Sequence, residues 1–158
     1  SKHINIKHGK AVDFKTYMTG ELFSILSEKS ILAESIEKGA NLQLPEHFDN
    51  FKRGVEDAAK GNILHQLFMI RTSDLFEKSS PEQNYYYLSG FLIGTELQDF
   101  PPHFKGNIIL AGEQILTAHY YAALKILGIE DKINNIFIKN PDEIIIKGQY
   151  EIYQRLKP

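Results

Sequence analysis

One segment of the chain, residues 85–97 with the sequence YYYLSGFLIGTEL, constrains the fold more than any other. It is apolar on almost every side, which predicts a helix that is buried on most of its surface. Pro81 follows two serines and marks a helix start, and the proline pair at 101–102 sets the latest point at which this helix can end. A chain built around such a helix must pack other elements against it.

Two glycines, Gly90 and Gly94, lie inside this helix, where alanine would be favoured by ~1 kcal/mol at each position. Small residues four positions apart open a groove on one helix face, and a neighbouring backbone can come close there. We expect Ser89, Gly90 and Gly94 to bring the helix against the sheet or another helix, and thereby to order a sheet edge near a ligand cleft. Direct contact of the glycines with a ligand is the alternative.

Length and composition favour a single domain that spans residues 1–158, because 158 residues with 42% hydrophobic side chains can bury a core of their own. The net charge of -2 creates no field that would draw the protein to nucleic acid or to an anionic membrane. The absence of cysteine excludes disulfides and thiolate zinc sites. No apolar run approaches the ~20 residues that span a bilayer. We therefore predict a cytoplasmic protein.

The first 39 residues predict a β-hairpin followed by a helix. Residues 3–7 and 12–18 alternate apolar and polar around Gly9. This pattern predicts that the apolar members of the hairpin, Ile4, Ile6, Phe14 and Val12, face the core. The helix is expected to start with Thr19 as its N-cap and to run toward Ile36 before Gly39.

The remaining pattern predicts short helices over residues 41–76, then strand, turn and helix, then a second strand and a last segment. The strand covers residues 108–111, and its helix is closed by Gly128. The second strand covers residues 135–139, and the segment after Asn140 is read as helix rather than strand. The fold class is therefore α/β, with a mixed β-sheet and flanking helices.

Two strand-to-helix corners are candidate binding sites, because open α/β sheets commonly bind ligands at the ends of strands. At the first corner, Thr19, Gly20 and Glu21 offer a hydroxyl, a bare backbone and a carboxylate; the alternative is a plain N-cap followed by an acid in the first turn. At the second corner, Gly112 precedes Glu113, whose charge disfavours phosphate but could accept hydrogen bonds from ribose hydroxyls. The six histidines show no metal-binding spacing.

Five stretches, taken in order, resemble the C-terminal half of the 2-dehydro-3-deoxygalactonokinase family. They are VDFKTYMTGEL, FKRGVEDA, LFMIRTSDLF, YLSGFLIGTEL and ILAGEQILTAHYYAALKILG. The resemblance implies a kinase that uses ATP and Mg²⁺ to phosphorylate the 6-hydroxyl of the sugar acid 2-dehydro-3-deoxy-D-galactonate. It also implies a ribonuclease H-like lobe of the actin-like ATPase group, whose partner, the N-terminal lobe, has no counterpart in this sequence.

The resemblance implies roles for several residues. Thr19, Gly20 and Glu21 would lie near the nucleotide cleft, Lys2 would remain from a phosphate loop interrupted at Ser1, and Gly112 and Glu113 would approach adenosine. Arg71 would bind the substrate carboxylate, since a guanidinium suits a carboxylate; an ion pair with a nearby acid is the alternative.

No general base is named within these residues, and without its partner lobe the fragment is expected to turn over negligibly. The second hypothesis is a non-catalytic binding or assembly module, which could form homo-oligomers.

Overall fold

The computed structural model describes residues 1–39, 41–100, 106–129, 133–137 and 141–156. The chain divides into two units, Ser1–His103 and Phe104–Pro158. The strands form two separate two-stranded sheets, one in each unit. The α/β class with helices beside a small sheet is confirmed, but the described strands do not form the single mixed sheet that we expected. Periodicity identifies strands, whereas their pairing depends on tertiary contacts. The single domain stays a prediction.

The first unit contains a hairpin and four helices. The hairpin has strands β1 (Lys2–Lys7) and β2 (Lys10–Thr16), and the helices are α1 (Thr19–Lys29), α2 (Pro45–Asp57), α3 (Ile63–Leu75) and α4 (Pro81–Leu97), with one short 3₁₀ turn at Ala33–Ser35.

The hairpin presents its apolar face to solvent, so the prediction that this face lies in the core is wrong. Its two-residue turn has positive φ at His8 (51°) and Gly9 (73°), as a tight hairpin requires. The opposite, polar face of the hairpin carries His3 and Lys15, which contact the end of α4. Because side chains alternate along a strand, the apolar face must then point away from α4. Its exposed side chains are Ile4 (58%), Ile6 (62%), Val12 (53%) and Phe14 (71%).

Helix α1 ends at Lys29 and does not continue toward Ile36 as predicted. Ser30 adopts an extended conformation, its hydroxyl donates to the carbonyl of Leu26 at 2.6 Å, and its oxygen accepts from the N–H of Leu32 at 3.0 Å. A serine that bonds to local backbone groups in this way competes with the helix ladder. The apolar stripe therefore continues through a turn that buries Leu32.

Helix α4 forms the centre of the first unit. Its start is fixed by a capping box, in which the Ser80 hydroxyl accepts from the N–H of Gln83 and the Gln83 side chain accepts from the N–H of Ser80. The predicted start at Pro81 is confirmed. The cluster around α4 consists of buried residues from four segments: Leu32, Ala58, Ile70, Tyr87, Leu88, Phe91 and Leu92.

The glycines of α4 permit a close crossing with α2. A Cβ on Gly90 would meet the carbonyl oxygen of Phe51 and lie 2.9 Å from its carbonyl carbon. A Cβ on Gly94 would lie 2.9 Å from the Cα of Val55, and one on Gly54 would lie 2.7 Å from the backbone nitrogen of Phe91. Close packing against a helix is confirmed. The groove is filled by helix backbone, and the expected ordering of a sheet edge near a ligand cleft stays a prediction.

The second unit has two strand–helix pairs: β3 (Ile108–Gly112), α5 (Gln114–Ile126), β4 (Ile133–Phe137) and α6 (Pro141–Leu156). Strands β3 and β4 are parallel. Their paired residues run from Ile108 opposite Ile133 to Gly112 opposite Phe137. The predicted strand–turn–helix and the final helix are confirmed, and Gly128 closes α5 with φ 72°. Residues 138–139, at the predicted end of the second strand, and Asn140, at the predicted start of the last helix, lie outside the described residues. Across the described part of the chain, no helix is long and apolar enough to cross a membrane.

Candidate functional site

The first corner lies where β2 leads into α1. Thr19 is the first residue of α1, Met18 occupies the N-cap position, and no side chain caps the helix. The prediction that Thr19 is the N-cap is therefore wrong. The Thr19 hydroxyl instead donates a short hydrogen bond to the Glu96 carboxylate of α4. Because the first N–H groups of a helix lack intrahelical partners, the start of α1 retains donors for another acceptor.

Glu96 joins the segments that meet at this corner. Its side chain is 1% exposed. One carboxylate oxygen, Oε2, accepts from the hydroxyls of Thr19 and Ser1, the latter at 2.6 Å, and Oε1 lies 2.8 Å from His3 Nε2. The His3 ring also packs near the ring of Tyr17, with centroids 4.5 Å apart. Glu96 thus ties the start of β1 and the start of α1 to the last turn of α4.

Lys2 lies between two of the residues that Glu96 holds, Ser1 and His3. Backbone hydrogen bonds join Ser1 to Tyr17 in both directions, at 3.0 and 3.1 Å, and Lys2 pairs with Thr16. Lys2 is exposed. The structure therefore places Lys2 at the strand end that leads into α1, and its role in phosphate binding stays a prediction.

Gly20 and Glu21 form the exposed part of the first corner. A Cβ built on Gly20 meets no atom within 4 Å, and the φ of Gly20 is not in the left-handed region. Neither packing nor backbone conformation within the described structure therefore requires glycine here, in contrast to Gly90 and Gly94. The open backbone at Gly20 leaves room for a ligand to approach the start of α1.

The second corner belongs to the second unit, between β3 and α5. Gly112 ends β3, and Glu113 precedes α5 in an extended conformation without capping the helix through its side chain. The hydroxyl of Thr117 donates to the Glu113 carbonyl at 3.0 Å, and the Glu113 side chain is exposed. The carboxyl ends of the parallel strands β3 and β4 lie at this edge, the position at which open parallel sheets bind ligands.

Arg71 lies on α3 and contacts none of the corner residues through the interactions described. It donates to the Ser35 hydroxyl at 3.0 Å and pairs with Glu34 at 3.4 Å and with Asp74 at 3.6 Å. Ser35 is fully buried and donates to Asp74 at 2.8 Å. The ion pair that the sequence left as an alternative is the arrangement observed.

Glu96 and His3 were missed by sequence reasoning as members of the first corner. The available signal was the single acid in the apolar stretch GFLIGTEL, since a carboxylate is rarely buried without a partner. The sequence does not identify that partner, because Glu96 and Thr19 are 77 positions apart.

These features define an α/β protein with open glycine corners at the starts of two helices, a common arrangement for ligand binding in this class. The chain belongs to the 2-keto-3-deoxy-galactonokinase family, whose family model matches residues 1–151.

It is 36% identical over 122 residues to the 2-dehydro-3-deoxygalactonokinase of Escherichia coli (strain K12), an alignment that covers 75% of this chain and 40% of that protein. The names 2-keto and 2-dehydro denote the same carbonyl group.

A crystal structure of a Sinorhizobium meliloti protein assigned to 2-dehydro-3-deoxygalactonokinase has a similar fold. The TM-score is 0.78 at 23% identity, and the match covers 99% of this chain and 50% of that one. The chain therefore spans half or less of the length of these two proteins.

Proposed function

We propose that the chain is the C-terminal lobe of a 2-dehydro-3-deoxygalactonokinase, with the ribonuclease H-like fold of the actin-like ATPase group. The whole enzyme would transfer the γ-phosphoryl group of ATP to the 6-hydroxyl of 2-dehydro-3-deoxy-D-galactonate. The family match over residues 1–151 carries this proposal. A lobe absent from this chain would complete the catalytic site, and a cytoplasmic location stays a prediction.

The first corner supports a role in binding the phosphate groups of the nucleotide. Helix α1 directs its free N–H groups and the positive end of its dipole outward beside Gly20. Lys2, held at the adjoining strand end, adds a positive charge. Phosphoryl transfer depends mainly on positioning and on neutralising charge, which these groups supply.

A magnesium ion would come with the nucleotide phosphates. Within the described ranges, no three His, Asp or Glu side chains lie together as a ready metal site. Mg²⁺ in kinases is usually bound through one or two carboxylates together with substrate phosphates. The exposed carboxylate of Glu21 fits that requirement. When bound, the ion would neutralise charge on the phosphates.

Considered within its own unit, the second corner is proposed to bind adenosine. The exposed carboxylate of Glu113 can accept hydrogen bonds from two ribose hydroxyls, and Gly112 leaves the backbone accessible, since a built Cβ would meet nothing closer than Thr117 Cγ2 at 3.6 Å. A sugar-binding role for Arg71 is less well supported, because its guanidinium already pairs with Glu34 and Asp74.

Calorimetric titration with Mg²⁺-ADP tests the nucleotide site. We expect Gly112→Trp to lose binding, because the indole would cover the end of β3. The control for the bulk of the indole is Gly148→Trp on α6, where a built Cβ meets no atom within 4 Å; this variant should bind as the wild type does. Because Gly112 has a φ of 159°, which side chains rarely adopt, circular dichroism is used to check that Gly112→Trp is folded. Equal binding by Gly112→Trp and the wild type would remove the adenosine site.

A second candidate function is a non-catalytic assembly module in which copies of the chain associate through the hairpin. The outward apolar face of the hairpin favours this candidate, since an exposed apolar patch often marks an interface. An ADP-release assay with the sugar acid separates the two functions. Turnover in the usual enzyme range of ~1 to 10³ per second would exclude a non-catalytic chain. A clean monomer by light scattering at high concentration would exclude assembly through the hairpin.

A further inference from the structure

Glu96 is a buried acid that joins α4 to the starts of β1 and α1. Its side chain is 1% exposed, although it lies at the end of a helix whose other buried residues are mostly apolar. Burying a carboxylate is unfavourable unless hydrogen bonds and an opposite charge compensate for lost hydration. The Ser1 and Thr19 hydroxyls and the His3 ring provide the hydrogen bonds, and of these three groups His3 can also carry a positive charge.

The residues held by Glu96 are neighbours in the chain of the residues proposed to bind phosphate. Ser1 and His3 flank Lys2 on β1, and Thr19 begins α1 directly before Gly20. Because side chains alternate along a strand, fixing the His3 side chain on one face of β1 also fixes Lys2 toward the other face. The Glu96 carboxylate therefore fixes the position of the strand that carries Lys2 and the position of the helix turn that carries the free N–H groups.

The hydroxyl of Thr19 has one proton, and that proton is donated to Glu96. Thr19 therefore cannot donate the same proton to a phosphate oxygen. Among the described residues, the Lys2 ammonium group and the first backbone N–H groups of α1 remain as donors at this corner. Thr19 thus contributes to the corner through the position of its backbone, and Glu96 determines that position.

We propose that Glu96 is a positioning residue, which holds Lys2 and the first turn of α1 in the geometry that receives the phosphate groups of a nucleotide. The proposal rests on the proposed kinase function. Glu96 acts through Ser1, His3 and Thr19 and does not itself touch the phosphates, whose charge it would repel.

The test compares two probes, Mg²⁺-ADP and adenosine, by calorimetry on the full chain. Glu96→Gln keeps the size of the side chain but removes the charge and one acceptor. We expect it to weaken Mg²⁺-ADP binding about tenfold, the scale of one hydrogen bond to a charged group, with adenosine affinity within about twofold of wild type. Thr19→Val should give the same selective loss, and the double variant should lose little more, because both changes break the same link.

Asp99→Asn is the matched control. Asp99 also joins the hairpin to the end of α4, through Lys15 at 3.0 Å and Tyr17 at 2.5 Å, but it does not contact Ser1, His3 or Thr19 in the hydrogen bonds described. We expect this variant to bind both probes as the wild type does. If Glu96→Gln is unfolded by circular dichroism, Thr19→Val and His3→Gln carry the test with the same two probes.

The outcomes separate the inference from the function on which it rests. If the wild type binds Mg²⁺-ADP and Glu96→Gln binds it equally well, the role of Glu96 is overturned and the nucleotide site is retained. Equal loss of both probes in folded Glu96→Gln would show a merely structural role and also overturn it. Failure of the wild type to bind either probe would overturn the nucleotide site itself, and the role of Glu96 with it.

Discussion

Gly90→Ala tests the close crossing of α2 and α4 directly. The added methyl would overlap the carbonyl oxygen of Phe51 and lie 2.9 and 3.1 Å from its carbonyl carbon and Cα. All three atoms belong to the backbone of α2, so no side-chain rotation can relieve the overlap, and the whole helix must shift. A shift would disturb the buried packing of Phe51 and Val55, which are 0% and 1% exposed.

The expected magnitude is the difference between two opposing effects. Overpacking in a well-packed core lowers stability by ~1 to 3 kcal/mol, and alanine in place of a helical glycine raises it by ~1 kcal/mol. Because the overlap is with backbone, we expect the upper part of the overpacking range and a net loss of about 1 to 2 kcal/mol. For a unit of this size, each kcal/mol lowers the melting midpoint by roughly 4 to 8 °C.

Thermal and denaturant unfolding followed by circular dichroism measure this loss. Gly20→Ala is the matched control, because Gly20 is also helical and in the same unit, yet its built Cβ meets no atom within 4 Å. Its stability should be unchanged or higher by up to ~1 kcal/mol. A melting midpoint of Gly90→Ala equal to or above that of wild type would refute the close crossing.

Three further changes test single interactions. Ser80→Ala removes the capping box of α4 and should lower the free energy of unfolding by ~1 kcal/mol in denaturant. Ser80→Asp can still accept a hydrogen bond from Gln83 and should lose little stability. An equal loss in both variants would contradict the cap. Arg71→Met leaves the partly buried Asp74 without its cation and should lower the free energy of unfolding by about 1 to 3 kcal/mol. Binding of Mg²⁺-ADP should be unchanged. An unchanged melting midpoint would contradict the structural ion pair. Burial lowers the pKa of His119, so the folded state favours the neutral ring, and stability should fall as pH decreases below the ordinary histidine pKa of about 6.5. His119→Gln should reduce the fall in melting midpoint between pH 7.5 and pH 5. If the fall is the same as in the wild type, His119 is not the group responsible for it.

Local residue patterns determined much of the secondary structure. The alternation around Gly9 predicted the hairpin, the serine–proline start predicted α4, and Gly128 predicted the end of α5. These signals act through backbone conformation and hydrogen bonds within a few residues, so they can be read without tertiary contacts. The end of α1 at Lys29 was missed because Ser30 bonds to the local backbone, a choice between two conformations that propensity alone does not settle.

Pairings over long sequence distances were decided by the tertiary structure. The sequence predicted that Gly90 and Gly94 admit a close neighbour but left open whether that neighbour is sheet or helix. It indicated the corner at Thr19, Gly20 and Glu21, but it did not show that the Thr19 hydroxyl is held by Glu96.

The same limit explains the hairpin. Its alternation correctly separates an apolar face from a polar face, yet alternation carries no information about which face meets the rest of the protein. Contacts of His3 and Lys15 with the end of α4 turn the apolar face outward. The sequence by itself therefore determined most of the helices and strands and indicated the two corners as candidates, whereas the contacts of Glu96, Phe51 and His3 across the fold depend on which elements meet in three dimensions.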